Sequence, residues 1–343
     1  VLVTTKNGAK DKVRVSYNGF FSFNTPGNMP ERLPAWEEQA MINEGRVNAG
    51  GSPEWSPEQE SWVGNPNFNY RPNNTNGRWD LFEATNWVAE GTKKFTTSQS
   101  HNVSLAGGGK KYDYMLSAGY YTKDGLLQYG PDGNERYNLR LKTNAKLNDH
   151  ITLGVLAGYE GQFKEQNPYG AKNIIGRLYR VRGRQPIFQP EEDINDNPYN
   201  GDLQVNLIDL MKNGGITKTR FEAFTGKGEL TIKDYVPGLA LKLSASRRAG
   251  YYHSVTSRRY LVWNDRLGTN KRNDANNPNS MVRTKNFDFH DNFEAILTYN
   301  LAKGRHNLDI LGGISYERYR KDEMGATIKN LNSNDFFSFN YYD

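Results

Sequence analysis

The side chains best able to do chemistry are distributed in a way that argues against a catalyst. Five histidines, His101, His150, His253, His290 and His306, are scattered along the chain. No G-x-S-x-G, H-E-x-x-H or phosphate-loop pattern accompanies them. With no cysteine, neither a thiolate metal site nor a disulfide framework can form. The acidic run Glu191, Glu192, Asp193 and Asp196 carries oxygen ligands suited to calcium. Read as a calcium loop from Asp193, it puts Pro198 where glycine makes the turn and Gln204 where a bidentate glutamate belongs. A solvated acidic loop is the stronger account. The basic cluster Arg177, Arg180, Arg182 and Arg184 would suit an anionic substrate or a lipid headgroup. A solvated or salt-bridged loop explains it more simply. Trp62, Tyr70, Trp79 and Trp87 would stack on sugar rings or meet a partner, although packing of the long loop against its neighbours is the stronger account of the tryptophans. No catalytic residue, cofactor or metal is expected.

The elements that must position these residues are strands. Tyr137, Leu139, Leu141, Thr143, Ala145 and Leu147 share one face of a period-2 pattern, and Asn138, Arg140, Lys142, Asn144 and Lys146 share the other. Asn148-Asp149 is turn chemistry, after which Ile151, Leu153, Val155, Ala157 and Tyr159 alternate with Thr152, Gly154, Gly158 and Glu160. Each arm is about ten residues long, the length of a transmembrane β-strand. One face is apolar, the other is too charged for a dry core, and tyrosines stand at strand ends. That combination is the signature of a membrane barrel with lipid outside and water inside. Leu139, Leu141, Leu153 and Val155 are expected to face lipid.

Composition fits this reading. The chain has 343 residues, 36% hydrophobic and 13% aromatic, with 21 tyrosines. Its mean hydropathy of −0.83 would suggest disorder in a soluble protein, but the aromatic content argues otherwise. A wide barrel reconciles the two, because only alternate strand residues face lipid. No stretch approaches the apolar length of a transmembrane helix. The net charge of +6 comes from dispersed Lys and Arg rather than a basic stripe, so no nucleic acid is expected. Val1 begins no signal-peptide pattern, and the numbering is expected to start inside a longer precursor.

Taken in order, residues 1–6 form a short β-branched strand and residues 13–23 a first barrel strand. A long aromatic segment, 24–97, follows and contains a helix over 34–47. Two hairpins fill 101–163. A second long segment spans 164–218, and a hairpin turns at 234–238. A third long segment spans 247–286, and a last hairpin turns at 302–304. Nine barrel strands result, with short turns at one rim and long loops at the other, the asymmetry of outer-membrane barrels.

These residues carry a resemblance to the SusC/RagA family of TonB-dependent outer-membrane transporters. Residues 1–6 (VLVTTK) with Gly8 resemble the segment that closes that family's plug, and residues 13–19 (VRVSYNG) resemble the first strand after it. Residues 101–108 (HNVSLAGG), 114–125 (YMLSAGYYTKDG), 237–239 and 306–312 (HNLDILG) resemble later strands and turns. The resemblance implies an all-β fold, an antiparallel transmembrane β-barrel that is part of a 22-stranded plugged barrel with long extracellular loops. It implies a division into residues 1–12, the end of the plug and a linker, and residues 13–343, the N-terminal part of the barrel. It further implies import of large nutrients, oligosaccharides or oligopeptides, across a bacterial outer membrane. The implied partners are a SusD-like surface lipoprotein, the TonB complex, and a lipid bilayer with lipopolysaccharide. A siderophore transporter is the alternative within this class, and a non-transporting surface adhesin or binding module the alternative outside it.

Overall fold

The computed structural model of the chain describes residues 12–73, 78–187, 206–264, 270–272 and 277–333. In chain order the elements are β1 (Arg14–Asn24), α1 (Ala35–Asn48), α2 (Pro57–Ser61), a 3-10 turn (Pro66–Phe68), β2 (Tyr70–Asn73), β3 (Arg78–Leu81), α3 (Trp87–Gly91), β4 (Thr96–Gly108), β5 (Tyr112–Asp124), β6 (Asp132–Lys146) and β7 (Ile151–Gln166). Then come α4 (Ala171–Leu178), α5 (Leu207–Asn213), β8 (Gly215–Lys233), β9 (Leu239–Arg258), β10 (Val262–Asn264), β11 (Asn270–Arg272), β12 (Ser280–Lys303) and β13 (His306–Lys329).

Nine of these strands form one antiparallel sheet in the order β1-β4-β5-β6-β7-β8-β9-β12-β13, each beside its sequence neighbour among the sheet strands. β2-β3 and β10-β11 are separate two-stranded ribbons within the long connections. The nine strands and the four tight turns are those expected from the alternation. Gly238, at φ 81, closes the turn before β9, where a side chain would collide with the Asn300 carbonyl. β1 and β13 are the two edges of an open sheet.

Every strand puts its apolar parity on one face, which is bare. Leu139, Leu141, Leu153 and Val155 are 48, 39, 40 and 41% exposed, as expected of side chains left to lipid. On β6, β7, β8, β12 and β13 the outward apolar stretches occupy residues 137–145, 151–159, 224–232, 293–301 and 308–316. Each ends, on the long-loop side, in an aromatic ring: Tyr137, Tyr159, Phe224, Phe293 and Tyr316. Neighbouring rings touch along this edge, with Tyr120–Tyr137 and Tyr159–Phe224 centroids each 5.0 Å apart.

The aromatic edge also gives the strand tilt. The register carries Tyr17 of β1 through Val103, Ala118, Leu139, Tyr159, Phe224, Ala249 and Phe289 to Arg320 of β13. On β1 the apolar stretch runs six residues past Tyr17 to Phe23, whereas on β13 it ends at Tyr316, four residues short of Arg320. A level edge therefore slides ten residues along the chain in eight interstrand steps. At about 3.3 Å per residue and about 4.8 Å per strand, that is a tilt of about 40°, in the range of transmembrane barrels. Nine residues at that tilt cover roughly 20–25 Å of height, close to the usual apolar band.

Several strands run farther than the sequence pattern implies. β12 and β13 have 24 residues each, and β9 has 20. The three long connections are correspondingly shorter, 25–95, 167–214 and 259–279, instead of 24–97, 164–218 and 247–286. Beyond the aromatic edge the outward positions turn polar and charged as well, as at Arg247, Asp291, Arg318 and Arg320, so the alternation that marks a strand disappears while its hydrogen bonds continue. The helix expected over 34–47 is α1, with Glu37 and Glu38 in its first turn, where carboxylates complement the helix dipole. α4 and α5 lie within the second long connection and were not expected. No helix among the described residues is long and apolar enough to cross a membrane.

Candidate functional site

Two regions gather polar and aromatic side chains: a cap built by the long connections, and the charged inner wall of the sheet.

The cap begins with a turn held from inside. Asn43 of α1 is buried, donates to the Trp55 carbonyl at 2.8 Å, and accepts the Glu54 and Trp55 backbone N–H groups at 2.7 and 3.2 Å. Trp55 packs on Phe82 at 4.6 Å. The turn aims the Glu54 carboxylate at the second long connection, where Arg182 and Arg184 donate to it at 2.8 and 2.7 Å. Arg184 also lies 4.4 Å over the Trp55 ring. Partial burial pushes the Glu54 carboxyl up, but the two guanidiniums and a bond from Gln39 outweigh it and hold the group below its usual value. Arg32 adds a second clasp: it donates to the Leu178 carbonyl at 2.7 Å and to that of Val181, and pairs with Glu38 at 3.1 Å. Glu38 in turn accepts the Gly183 N–H at 2.9 Å.

Below these clasps lies an apolar core to which four connections contribute. Trp87 and Val88 come from the first, Leu127 from the link between β5 and β6, Ile174, Leu178, Leu207, Ile208, Leu210 and Met211 from the second, and Leu261 from the third. The indole N–H of Trp87 donates to the Gln185 carbonyl at 3.2 Å. Asn206 caps α5 by accepting the Ile208 and Asp209 N–H groups. The loops are therefore a packed layer rather than independent excursions.

The inner wall is mostly polar, with apolar positions such as Leu156 and Phe221 among its charged residues. A concavity of about 410 Å³ opens on it, lined by Ser117, Asn138, Arg140, Gly158, Glu160 and Arg248 among others. Arg248 of β9 reaches across β8 to Glu160 of β7 at 2.6 Å, and backward to Asp288 of β12 at 3.3 Å. The reach is possible because the intervening β8 positions are small, Ala223 and Thr225. Gly250 leaves open the space that Asp288 occupies. Nearer the turns, Glu229 is held by Lys242 at 3.0 Å and Lys227 at 3.4 Å. Charges paired in this way form a wet, structured surface that presents both signs to whatever fills the interior.

The residues singled out from sequence fall in different places. Trp62 is half-buried, stacked on Phe68 at 5.3 Å and edge-on to Phe82 at 5.3 Å, so it packs its own loop. Tyr70 opens β2, partly exposed, and Trp79 stands opposite Pro72 in the β2-β3 ribbon. Trp87 is 2% exposed, a core residue as the packing alternative has it and not a surface contact, because the neighbouring connections close over it. Arg180 is exposed and donates to the Gly176 carbonyl of α4 at 3.1 Å. Arg182 is committed to Glu54, the salt-bridged alternative. The acidic run Glu191, Glu192, Asp193 and Asp196 lies outside the described residues, as do residues 1–11. Among the described residues no group of three His, Asp or Glu side chains is arranged to hold a metal. Sequence reasoning missed the Glu160–Arg248–Asp288 cluster, whose only signal is that all three residues share the inward parity.

By sequence, the chain matches no protein-family model and no curated protein. Its fold is similar to solved structures of a peptide importer. It superposes on the RagAB peptide importer in the closed-closed state with a TM-score of 0.71 at 17% identity, over 97% of this chain and 38% of that one. For the open-open state the values are 0.71, 16%, 97% and 37%, and for the RagAB peptide transporter 0.70, 15%, 99% and 39%. The chain thus spans somewhat over a third of the length of these neighbours. At such identity the likeness establishes the fold, an antiparallel barrel wall.

Proposed function

We propose that this chain is part of the barrel wall of an outer-membrane importer for large nutrients, in which residues 13–343 belong to the barrel and residues 1–12 lead from a plug. The observation that carries this reading is the division of the sheet's faces. One side is an apolar band of bilayer height, interrupted on β4 by Gln99 and His101 and tilted as in transmembrane barrels, and the other is a largely charged and polar wall suited to a filled aqueous interior. The likeness to peptide-importer structures over nearly the whole chain supports it. Oligopeptides thereby move ahead of oligosaccharides as the expected cargo, and no chemistry on the cargo is expected. Energy would come through TonB, and a SusD-like lipoprotein would close over the loop layer, whose interlocked connections offer it a firm platform. A surface adhesin or soluble binding module would have to cover the exposed leucines of β6 and β7 with protein, since bare apolar area on this scale is not left to water.

Uptake tests this directly. Cells that make the full-length protein should accumulate fluorescently labelled oligopeptides, and cells deleted for it should not. Dissipating the proton gradient should abolish the difference. Equal uptake by both strains for peptides and oligosaccharides alike would remove the transport reading.

A further inference from the structure

The outward face changes character at the aromatic edge. On β8 the first charges past Phe224 are Glu222 and Arg220, which pair with each other at 2.6 Å. On β9, β12 and β13 the balance is different. Arg247 pairs in a fork with Asp291, Nε to Oδ1 at 2.6 Å and Nη2 to Oδ2 at 3.0 Å. Arg318 stands opposite Asp291 in the β12-β13 register, and Arg320 opposite Phe289. The guanidiniums of Arg247 and Arg320 lie 5.8 and 5.4 Å from the Phe289 ring. Three guanidiniums therefore surround one carboxylate and one aromatic platform, and the next acid on that face, Asp322, lies farther from the band.

The position of this excess charge matters more than its size. The register and the band place it one to two outward positions beyond the rings of Phe293 and Tyr316, on the side that faces lipid rather than the barrel interior. That is the depth at which headgroup phosphates lie against a membrane protein. Guanidinium forks match phosphate oxygens in geometry and charge, and a guanidinium stacked on a ring and anchored by a carboxylate is already oriented for that contact. We infer that Arg247, Arg318 and Arg320 form a binding site for the phosphate of an anionic lipid headgroup, on the outward face at the long-loop rim. The inference rests on the membrane reading above, because only a bilayer brings headgroups to that depth.

Native mass spectrometry of the purified full-length protein in neutral detergent tests it with three probes: a bisphosphorylated glycolipid, the same glycolipid after enzymatic dephosphorylation, and inorganic phosphate. The phosphorylated lipid should bind saturably, roughly ten-fold or more tighter than its dephosphorylated form, and inorganic phosphate should not displace it. The R318Q/R320Q variant should lose that preference while keeping heat-resistant migration of the folded barrel. Equal binding of both lipid forms, wild-type binding by R318Q/R320Q, or displacement by inorganic phosphate would each overturn the lipid site. A protein that stays soluble and monodisperse without detergent would overturn the membrane reading itself, an outcome separable from the other three.

Discussion

Glu54 and Arg184, 130 residues apart in sequence, meet at 2.7 Å and join the first long connection to the second. Arg184 is almost enclosed, its side chain 10% exposed, so removing its carboxylate partner leaves a desolvated charge rather than a hydrated one. Glu54→Gln should therefore loosen the cap by roughly 1–3 kcal/mol. The same contact has a pH signature. The folded-state pKa of Glu54 is depressed, so its stabilisation is complete above the ordinary value of 4.5 and is lost as pH falls through the lower folded value. Hydrogen exchange at residues 181–185 should quicken in Glu54→Gln at neutral pH, and in the native protein only on acidification below about 4.5. Unchanged protection in the variant would remove the clasp from the account.

Leu141 projects from the middle of the outward stretch of β6, with the guanidinium of Arg140 on the opposite face. Leu141→Arg should destabilise the barrel by roughly 2–4 kcal/mol, the cost of an arginine near the bilayer midplane. Arg140→Leu, one residue away, should cost far less, because the inner wall is wet. Reversible unfolding in lipid vesicles would measure both. Equal costs would mean that the two faces do not have different solvents.

Trp87 belongs to the cap core and not to a contact surface. Trp87→Ala should weaken the loop layer by about 3–5 kcal/mol, the usual range for deleting a buried tryptophan. The barrel should still assemble, since no nine-strand contact depends on the indole. Protease sensitivity of residues 167–187 should rise while the heat-resistant migration of the barrel is kept. Retained protease resistance would show that the indole is dispensable to the layer.

The nine strands and their turns were legible because each strand puts apolar side chains on one face and polar ones on the other, a strict period-2 alternation. That signal stops near Phe293, which is why the outer parts of β9 and β12 read as loop although they pair with each other throughout. The cap was less legible for a different reason. Its determinants are contacts between distant segments, such as Arg182 with Glu54, 128 residues away, and Arg32 with the Leu178 carbonyl, 146 residues away. A tryptophan in a polar segment gives no local sign of whether a neighbouring connection will close over it; Trp62 is half-covered, and Trp87 completely.

The three long connections all leave the sheet at one rim, and the four tight turns at the other, because every sheet strand pairs antiparallel with the next. The sidedness of the rims then depends on one strand. If residues 1–12 enter from the periplasmic side, β1 runs outward and the cap lies outside the cell. The absence of cysteine in this chain makes a clean test possible. Single cysteines at Ser52, in the first long connection, and at Asp149, in the β6–β7 turn, both replace exposed residues. On intact cells an impermeant maleimide should label Ser52→Cys and not Asp149→Cys, with the unmodified full-length protein as the blank. Both positions should label after the outer membrane is permeabilised. Labelling of Asp149→Cys alone on intact cells would invert the barrel, moving the loop layer, and any lipoprotein lid over it, to the wrong side of the membrane.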